Sequence, residues 1–236
     1  MTIRPIRTHV FREGEDLATF VAKHVPRLKN GSILVVTSKI VALAEGRTAS
    51  LGSEKDKEKL IKGESDIALK TKLVWLTIRQ GLVMANAGVD ESNANGRIIL
   101  LPKDSFEAAE RLRTLLKKYY RIRRLGVLIT DSRLFPLRAG VVGVALGYAG
   151  FSGVRDCRGQ IDIFGRPLKM TRVDVADSLA TAAVLEMGEG AERQPLAVIE
   201  DANVTFVEHV DRKELLVDIK EDIYRPLFAR ASKKKR

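Results

Sequence analysis

Short apolar runs alternate with longer amphipathic stretches along the whole chain. SILVVTSKIVALAEG (32–46) opens on an apolar run of the length a buried strand uses. KLVWLTIRQGLVMANAG (72–88) holds two β-rich runs broken at Gln80-Gly81, which predicts a hairpin. RIILLP (97–102) predicts another strand. GVLITD (126–131) and PLAVIED (195–201) read as buried strands that end at carboxylates. Helices lie between them. Ser105 is placed to cap SFEAAERLRTLLKKYY, with Glu107 in its first turn. Phe106, Ala109, Leu112, Leu116 and Tyr119 recur on one face of that helix. Ala176, Leu179, Ala183 and Met187 line one side of a second helix over 175–187, which Gly188 is placed to end in the left-handed conformation. A further helix is predicted over EDLATFVAKHV (15–25). SLGSEKDKEKLIKGES (50–65) is charged, lacks β-branched runs and reads as an exposed connection with one helical turn. The pattern as a whole predicts a mixed α/β (α+β) fold.

Composition narrows the class. The 236 residues suffice for one substantial core or two modest lobes. Hydrophobic residues make up 45%, mean hydropathy is −0.07, and no apolar run approaches the ~18–20 residues of a membrane helix. The opening MTIRPIRTHVFREGEDL lacks the apolar core of a secretory signal, and a single cysteine, Cys157, excludes an internal disulfide and a cysteine-built zinc site. A cytoplasmic location is expected. Net charge is +11; Lys233, Lys234, Lys235 and Arg236 supply four of these charges, leaving a body at +7, and the tail 232–236 is predicted to be disordered. LLKKYYRIRRLG (115–126) forms a second basic cluster. Such a surface attracts polyanions: nucleic acid, membrane surfaces or phosphorylated small molecules.

Charge does not choose among these, so candidate chemistry must. The chain has no GxxxxGK[ST] phosphate loop, no GxGxxG after a strand and no GxSxG elbow. His9, His24 and His209 lie far apart in sequence and read as ordinary surface or core residues. The carboxylates say more. Asp90 sits in the turn-like stretch ANAGVDESNANG, Asp131 ends GVLIT, and Glu189 stands between two glycines after a helix end. Strand ends and glycine-bounded turns are where α/β folds present ligand groups. With the Ser132 hydroxyl these carboxylates form an all-oxygen set that suits Mg²⁺ or Mn²⁺ better than zinc. The alternative is that each is a turn or cap carboxylate. DCRGQIDIFGRPLKMT (156–171) pairs acids with Arg158 and Arg166, whose forks match carboxylate or phosphate. Its alternative is a structured turn with internal ion pairs such as Asp162 with Arg166.

Read in order, several stretches resemble the coenzyme F420-0:γ-glutamyl ligase family, including relatives proposed to act on folates. They are EGEDL, TSKIVALAEGR (37–47), NAGVDESN (86–93), LITDS (128–132), GVVGVALGYAGF (140–151), the D-x-x-G-x-x-D-x-x-G-R-x-L-x-x-T series (156–171), VAD (175–177) and MGEG (187–190). The resemblance implies a two-lobed F420 ligase-like fold whose protomers intertwine as a homodimer. It implies a GTP-using ligase that joins L-glutamate to a substrate carboxylate, on F420-0 or a folate-like acceptor, through an acyl phosphate. Two divalent cations, Mg²⁺ or Mn²⁺, are implied: one at Asp90 and Asp131, a second at Ser132 and Glu189. Asp90, Asp131 and Glu189 are thus the expected catalytic set. Ser38, Lys39, Asn93 and the 184–191 loop (Val184, Gly188, Gly190, Ala191) are expected to contact the nucleotide, as is the backbone of Thr8 to Phe11. Two departures bear on the acceptor and on the nucleotide. Ser132 stands where the family usually has Thr and is followed by RLFPLRAG rather than Gly-Arg, so Arg133 and Arg138 are candidates to replace the missing arginine. Leu43 replaces a family lysine. Arg133, Arg138, Arg158 and Arg166 are therefore carried as candidate substrate contacts. The rival readings are a family member that binds nucleotide without ligase activity and a basic nucleic-acid-binding protein; the ordered motifs disfavour the second, and no membrane partner is expected.

Overall fold

Every residue from Ser32 to Val36 and from Leu125 to Thr130 is buried, as strands covered on both faces must be. They belong to a computed structural model that describes residues 1–50 and 52–226. The predicted disordered tail, 232–236, lies outside the described residues. In chain order the strands are β1 (Thr2–Ile6), β2 (Ser32–Thr37), β3 (Thr48–Ser50), β4 (Ile67–Lys70), β5 (Trp75–Arg79), β6 (Leu82–Ala85), β7 (Arg97–Ile99), β8 (Leu125–Leu134), β9 (Val141–Ala149), β10 (Val154–Asp156), β11 (Arg172–Asp174) and β12 (Leu196–Glu200). The helices are α1 (Leu17–His24), α2 (Ser38–Ala44), α3 (Glu54–Gly63), α4 (Ser105–Tyr120) and α5 (Val175–Met187). The fold is mixed α/β.

The chain divides into two compact units. The larger comprises Met1–Ala49 and Ile99–Glu214. Its sheet has the order β1-β12-β2-β8-β9, in which only the β2/β8 pair is parallel. α4 packs on β8 and β9, and α5 packs on β9, β1, β8 and β12. Two glycines set how closely these helices approach. A Cβ on Gly147 would stand 2.6 Å from the Phe106 amide of α4; one on Gly143 would stand 2.6 Å from the Val184 side chain of α5. The two glycines meet different helices despite their even spacing, because the pairing slips between Ile129 and Thr130 and leaves an extra residue in β9.

The smaller unit comprises the described residues of 50–98 and 215–226. Its centre is the antiparallel sheet β4-β5-β6. Gln80 (φ 51) and Gly81 (φ 78) make the tight hairpin turn expected between β5 and β6.

Several expectations are corrected. The stretch 50–65 carries α3, ten residues long, not one turn: Ser53 and Asp56 form a reciprocal capping box, and only Ile61 on the helix is buried. Asp104, not Ser105, caps α4 by accepting the Glu107 amide, which leaves Ser105 inside the helix. Tyr119 is exposed rather than on the buried face, where Arg113 stands instead. Gly188 does end α5, but at φ 80 and ψ 167, an extended glycine conformation and not the left-handed helical one. β8 runs three residues past Asp131 because β9 continues to pair with it as far as Leu134.

Candidate active site

Thr37 pairs with Thr130, and there β2 stops and turns into α2. β8 continues, held by β9 alone, so Asp131, Ser132 and Arg133 project from the carboxyl end of the parallel pair, the end α/β folds use for ligands. Alternation along the strand puts Asp131 and Arg133 on one face and Ser132 on the other. Ser132 lies opposite Gly143. Because Gly143 has no side chain, α5 settles directly on β9, and the Thr181 hydroxyl donates to the Gly143 carbonyl at 2.7 Å. α5 is thereby aimed so that the residue beyond its terminal glycine reaches the strand: the Ser132 hydroxyl donates to Glu189 Oε1 at 2.5 Å. Glu192 shapes the same loop by accepting the Gly190 amide at 2.8 Å.

The face carrying Asp131 is electrostatically tighter. Arg133 is only 7% exposed. Burial pulls its guanidinium below the ordinary arginine range, and the nearby Asp131 and Asp177 carboxylates oppose that shift. Asp177 also accepts the Ala145 amide at 2.7 Å, which pins the start of α5 to β9. Asp174, the α5 cap, has its carboxyl pushed up to about 6, first by desolvation and then by the neighbouring Asp177 and Glu214 carboxylates.

Asp90 lies in the smaller unit, in the turn ANAGVDESNANG. Left-handed backbone at Asn86, Ala87, Gly88, Asn93, Asn95 and Gly96 shapes the turn. The Asn86 carboxamide accepts the Trp75 amide, and the Thr77 hydroxyl accepts the Ala87 amide at 2.8 Å. Asp90 Oδ1 accepts the Ser92 amide at 2.7 Å and Oδ2 the Ser92 hydroxyl at 2.9 Å. Glu91 is ion-paired with Lys57 of α3 at 2.5 Å.

A family model described as F420-0:gamma-glutamyl ligase matches residues 5–201. The chain belongs to that family. It is by that membership a γ-glutamyl ligase. Three relatives named coenzyme F420:L-glutamate ligase show the extent of the match. The Methanocaldococcus jannaschii protein is 33% identical over 92% of this chain and 93% of its own. That of Methanopyrus kandleri is 37% identical over 79% and 81%. That of Archaeoglobus fulgidus is 33% identical over 94% of each.

The remaining candidates of the ligase are placed as follows. Ser38 is buried at the start of α2 with Lys39 half-buried beside it, at the same end of the β2/β8 pair as Asp131. Val184 packs toward Gly143, while Gly188, Gly190 and Ala191 are exposed in the loop bearing Glu189. Thr8 of the N-terminal segment donates its amide to the Arg193 carbonyl of that loop at 2.9 Å. Asn93 is exposed in the smaller unit at φ 55. Arg138 is exposed. Arg158 forks onto Asp156 at 2.5 Å, holding that carboxyl at about 2 through the hydrogen bonds. Arg166 engages Asp162 through its backbone amide at 2.9 Å. Part of the basic cluster is structural: Lys117 pairs with Glu208 at 3.2 Å. Among the described residues no three His, Cys, Asp or Glu side chains are grouped as metal ligands; Ser132 and Glu189 bring two side-chain oxygens together. Sequence reasoning assigns no role to Gly143 or Asp177, although they lie inside the motifs GVVGVALGYAGF and VAD. The signal for Gly143 was a glycine inside a strand-like run, which marks a close backbone approach.

Proposed function

We propose that the chain is a GTP-dependent, divalent-cation-dependent ligase that adds L-glutamate to the side-chain carboxylate of F420-0. The single observation that carries the reading is the Ser132–Glu189 pair at the carboxyl end of β8, at the positions the family motifs LITDS and MGEG mark. The names of the relatives support the acceptor and the amino acid.

The chemistry sets what the site must do. An amine cannot displace oxide from a carboxylate carbon, because oxide is too poor a leaving group. The carboxylate oxygen therefore attacks the γ-phosphorus of GTP; the bond to the β-phosphate oxygen breaks, and GDP leaves. The glutamate amine then attacks the acyl carbon, the C–O bond to phosphate breaks, and inorganic phosphate leaves as the amine gives up its proton. The work is positioning and control of negative charge.

The donor set fits hard cations, being wholly of oxygen. Ser132 and Glu189 present two oxygens close enough to share one ion, and the alternation of β8 sends Asp131 to a different position from Ser132, which suits two ions rather than one. The family resemblance, and not the geometry, implies Asp90 and Asp131 for one; Ser132 with Glu189 would hold the other. Bound there, such ions neutralise charge developing on the transferring phosphoryl group. The chain's own residues supply the rest. The Ser92 amide and hydroxyl orient the Asp90 carboxylate. Arg133 offsets the negative charge of Asp131. Ser38, Lys39 and the loop of Gly188, Gly190 and Ala191 would bind the nucleotide, with the basic body favouring polyanionic substrates.

A homodimer completes the proposal. Leu134, Phe135, Leu137, Ile161, Ile163, Phe164 and Met170 are large apolar side chains left exposed on the β8–β9 turn and the 156–171 ribbon. Exposed apolar side chains in such number mark surfaces that association covers. The test is an assay of purified protein with Mg²⁺ or Mn²⁺, glutamate, GTP or ATP, and either F420-0 or a folate monoglutamate. One GDP released per γ-glutamyl amide on F420-0 is expected. Product only on the folate would move the acceptor, and nucleoside diphosphate release with neither would overturn the reading.

A further inference from the structure

His9 lies between β1 and α1, and His24 sits in the last turn of α1, yet their rings meet: His9 Nδ1 is 3.1 Å from His24 Nε2. The outer nitrogens are both engaged. His24 Nδ1 is 2.8 Å from the Phe20 carbonyl oxygen one turn back in the helix, and His9 Nε2 is 3.1 Å from Glu15 Oε2. A carbonyl oxygen only accepts, and so does an ionised carboxylate. A half-buried glutamate carboxyl that accepts the Arg12 amide at 2.9 Å is ionised at neutral pH. Both outer nitrogens therefore carry hydrogen.

A neutral imidazole has one N–H. With that hydrogen spent outward on each ring, the two inner nitrogens face each other as lone pairs, and at 3.1 Å that arrangement is repulsive unless a cation bridges them. The bridging cation is a proton or a metal ion. Two imidazole nitrogens bound to one tetrahedral metal at ~2.05 Å stand about 3.3 Å apart, close to the observed separation. The outer bonds are those of metal-bound histidines, whose second nitrogen donates to a backbone carbonyl or a carboxylate and so fixes tautomer and ring plane. The ring planes are also set by packing. Phe20 lies 5.0 Å from the His9 ring and 4.5 Å from the His24 ring, and Phe11 packs edge-on against Phe20 at 4.8 Å.

We propose that His9 and His24 form a two-histidine site for a borderline divalent transition metal of the Zn²⁺, Ni²⁺ or Cu²⁺ class, with Glu15 and the Phe20 carbonyl as its orienting partners. Imidazole selects these ions over the oxygen-preferring Mg²⁺ and Mn²⁺. His9 is 42% exposed, so water completes the coordination. The ion ties the segment before α1 to the helix itself, and Thr8 of that segment is bonded to the loop bearing Glu189.

The probe is Zn²⁺ alone, titrated calorimetrically into the full chain with Mg²⁺ in saturating excess to fill oxygen sites. One Zn²⁺ per chain is expected. His9→Gln and His24→Gln each weaken it at least tenfold, Glu15→Gln weakens it about 10–100-fold, and His209→Gln leaves it unchanged. Cu²⁺ bound to the unsubstituted chain should show two imidazole nitrogens by electron paramagnetic resonance, a readout independent of any variant's folding. No Zn²⁺ uptake would mean that a proton alone bridges the rings and would overturn the proposal. So would affinity indifferent to both histidines, or a Cu²⁺ spectrum without paired nitrogens. None of these readouts depends on ligase turnover.

Discussion

Ser132 in the larger unit and Asp90 in the smaller are both half-buried and both offer oxygen, yet different structure holds them. Ser132 is fixed at long range. Its strand is buried on both faces up to the preceding residues, and its partner Glu189, 57 residues away, arrives on a helix seated against Gly143. Asp90 is fixed at short range, by Ser92 two residues on and by a turn of left-handed residues braced on β5. The first arrangement is stiff because moving Glu189 means unseating α5. The second is stiff only as far as a few local hydrogen bonds make it so. In the larger unit stability and site geometry are therefore one problem, and in the smaller they are separable.

Glycine substitutions separate the two units most strongly. Gly143→Val would drive side-chain atoms into Ala180 and Val184, and a cost of about 3 kcal/mol is expected. Thermal unfolding should show a fall in Tm together with loss of turnover. Gly96 in the smaller unit has open space around its Cβ position and φ 77; Gly96→Asn should cost under about 0.5 kcal/mol, since Asn tolerates that conformation. Equal losses at both positions would erase the distinction.

Ser92→Ala sharpens it. Asp90 loses one orienting hydrogen bond worth about 1 kcal/mol. The Mn²⁺ concentration for half-maximal turnover should rise about fivefold while Tm stays within a degree or two. A large fall in Tm would show that the turn carries more of the smaller unit's stability than its local bonds imply.

The smallest effect is one of pH. The folded Asp174 carboxyl sits near 6, above the ordinary 3.8, so the folded chain binds the proton more tightly than the unfolded chain. Stability should then fall as pH rises from about 4 to 6, with protonated Asp174 the favoured form in the fold. Asp174 is only partly shielded from solvent, so screening reduces the effect to under about 1 kcal/mol. Asp174→Asn, which keeps a capping oxygen, should flatten that decline in urea unfolding measured across this range. An unchanged slope would remove Asp174 as its source.

Legibility from sequence divides along similar lines. α5 and the β5–β6 hairpin were plain because periodicity and turn chemistry are local signals. α3 was missed because its single buried residue leaves almost no apolar period, although Ser53 and Asp56 spelled out a capping box. β9 is not legible as a strand. Its glycines, which admit α4 and α5, interrupt the alternation that marks strands, and its extra residue shifts the pattern out of phase. The site residues Asp131, Ser132 and Glu189 stood out through the family's motifs. Their meeting did not, because contact across 57 residues depends on how α5 packs. The histidine pair was illegible for the same reason: fifteen residues separate His9 from His24, and only the fold of the chain between them closes the gap.

Asp131 on one face of β8, and Ser132 of the other face with Glu189, are proposed to supply oxygens to two separate cations. Mn²⁺ binding to the GDP complex, counted by electron paramagnetic resonance, tests it most directly. Two Mn²⁺ per chain are predicted, with one lost in Asp131→Asn and one lost in Glu189→Gln while circular dichroism stays unchanged. Two Mn²⁺ retained by both variants would contradict the claim.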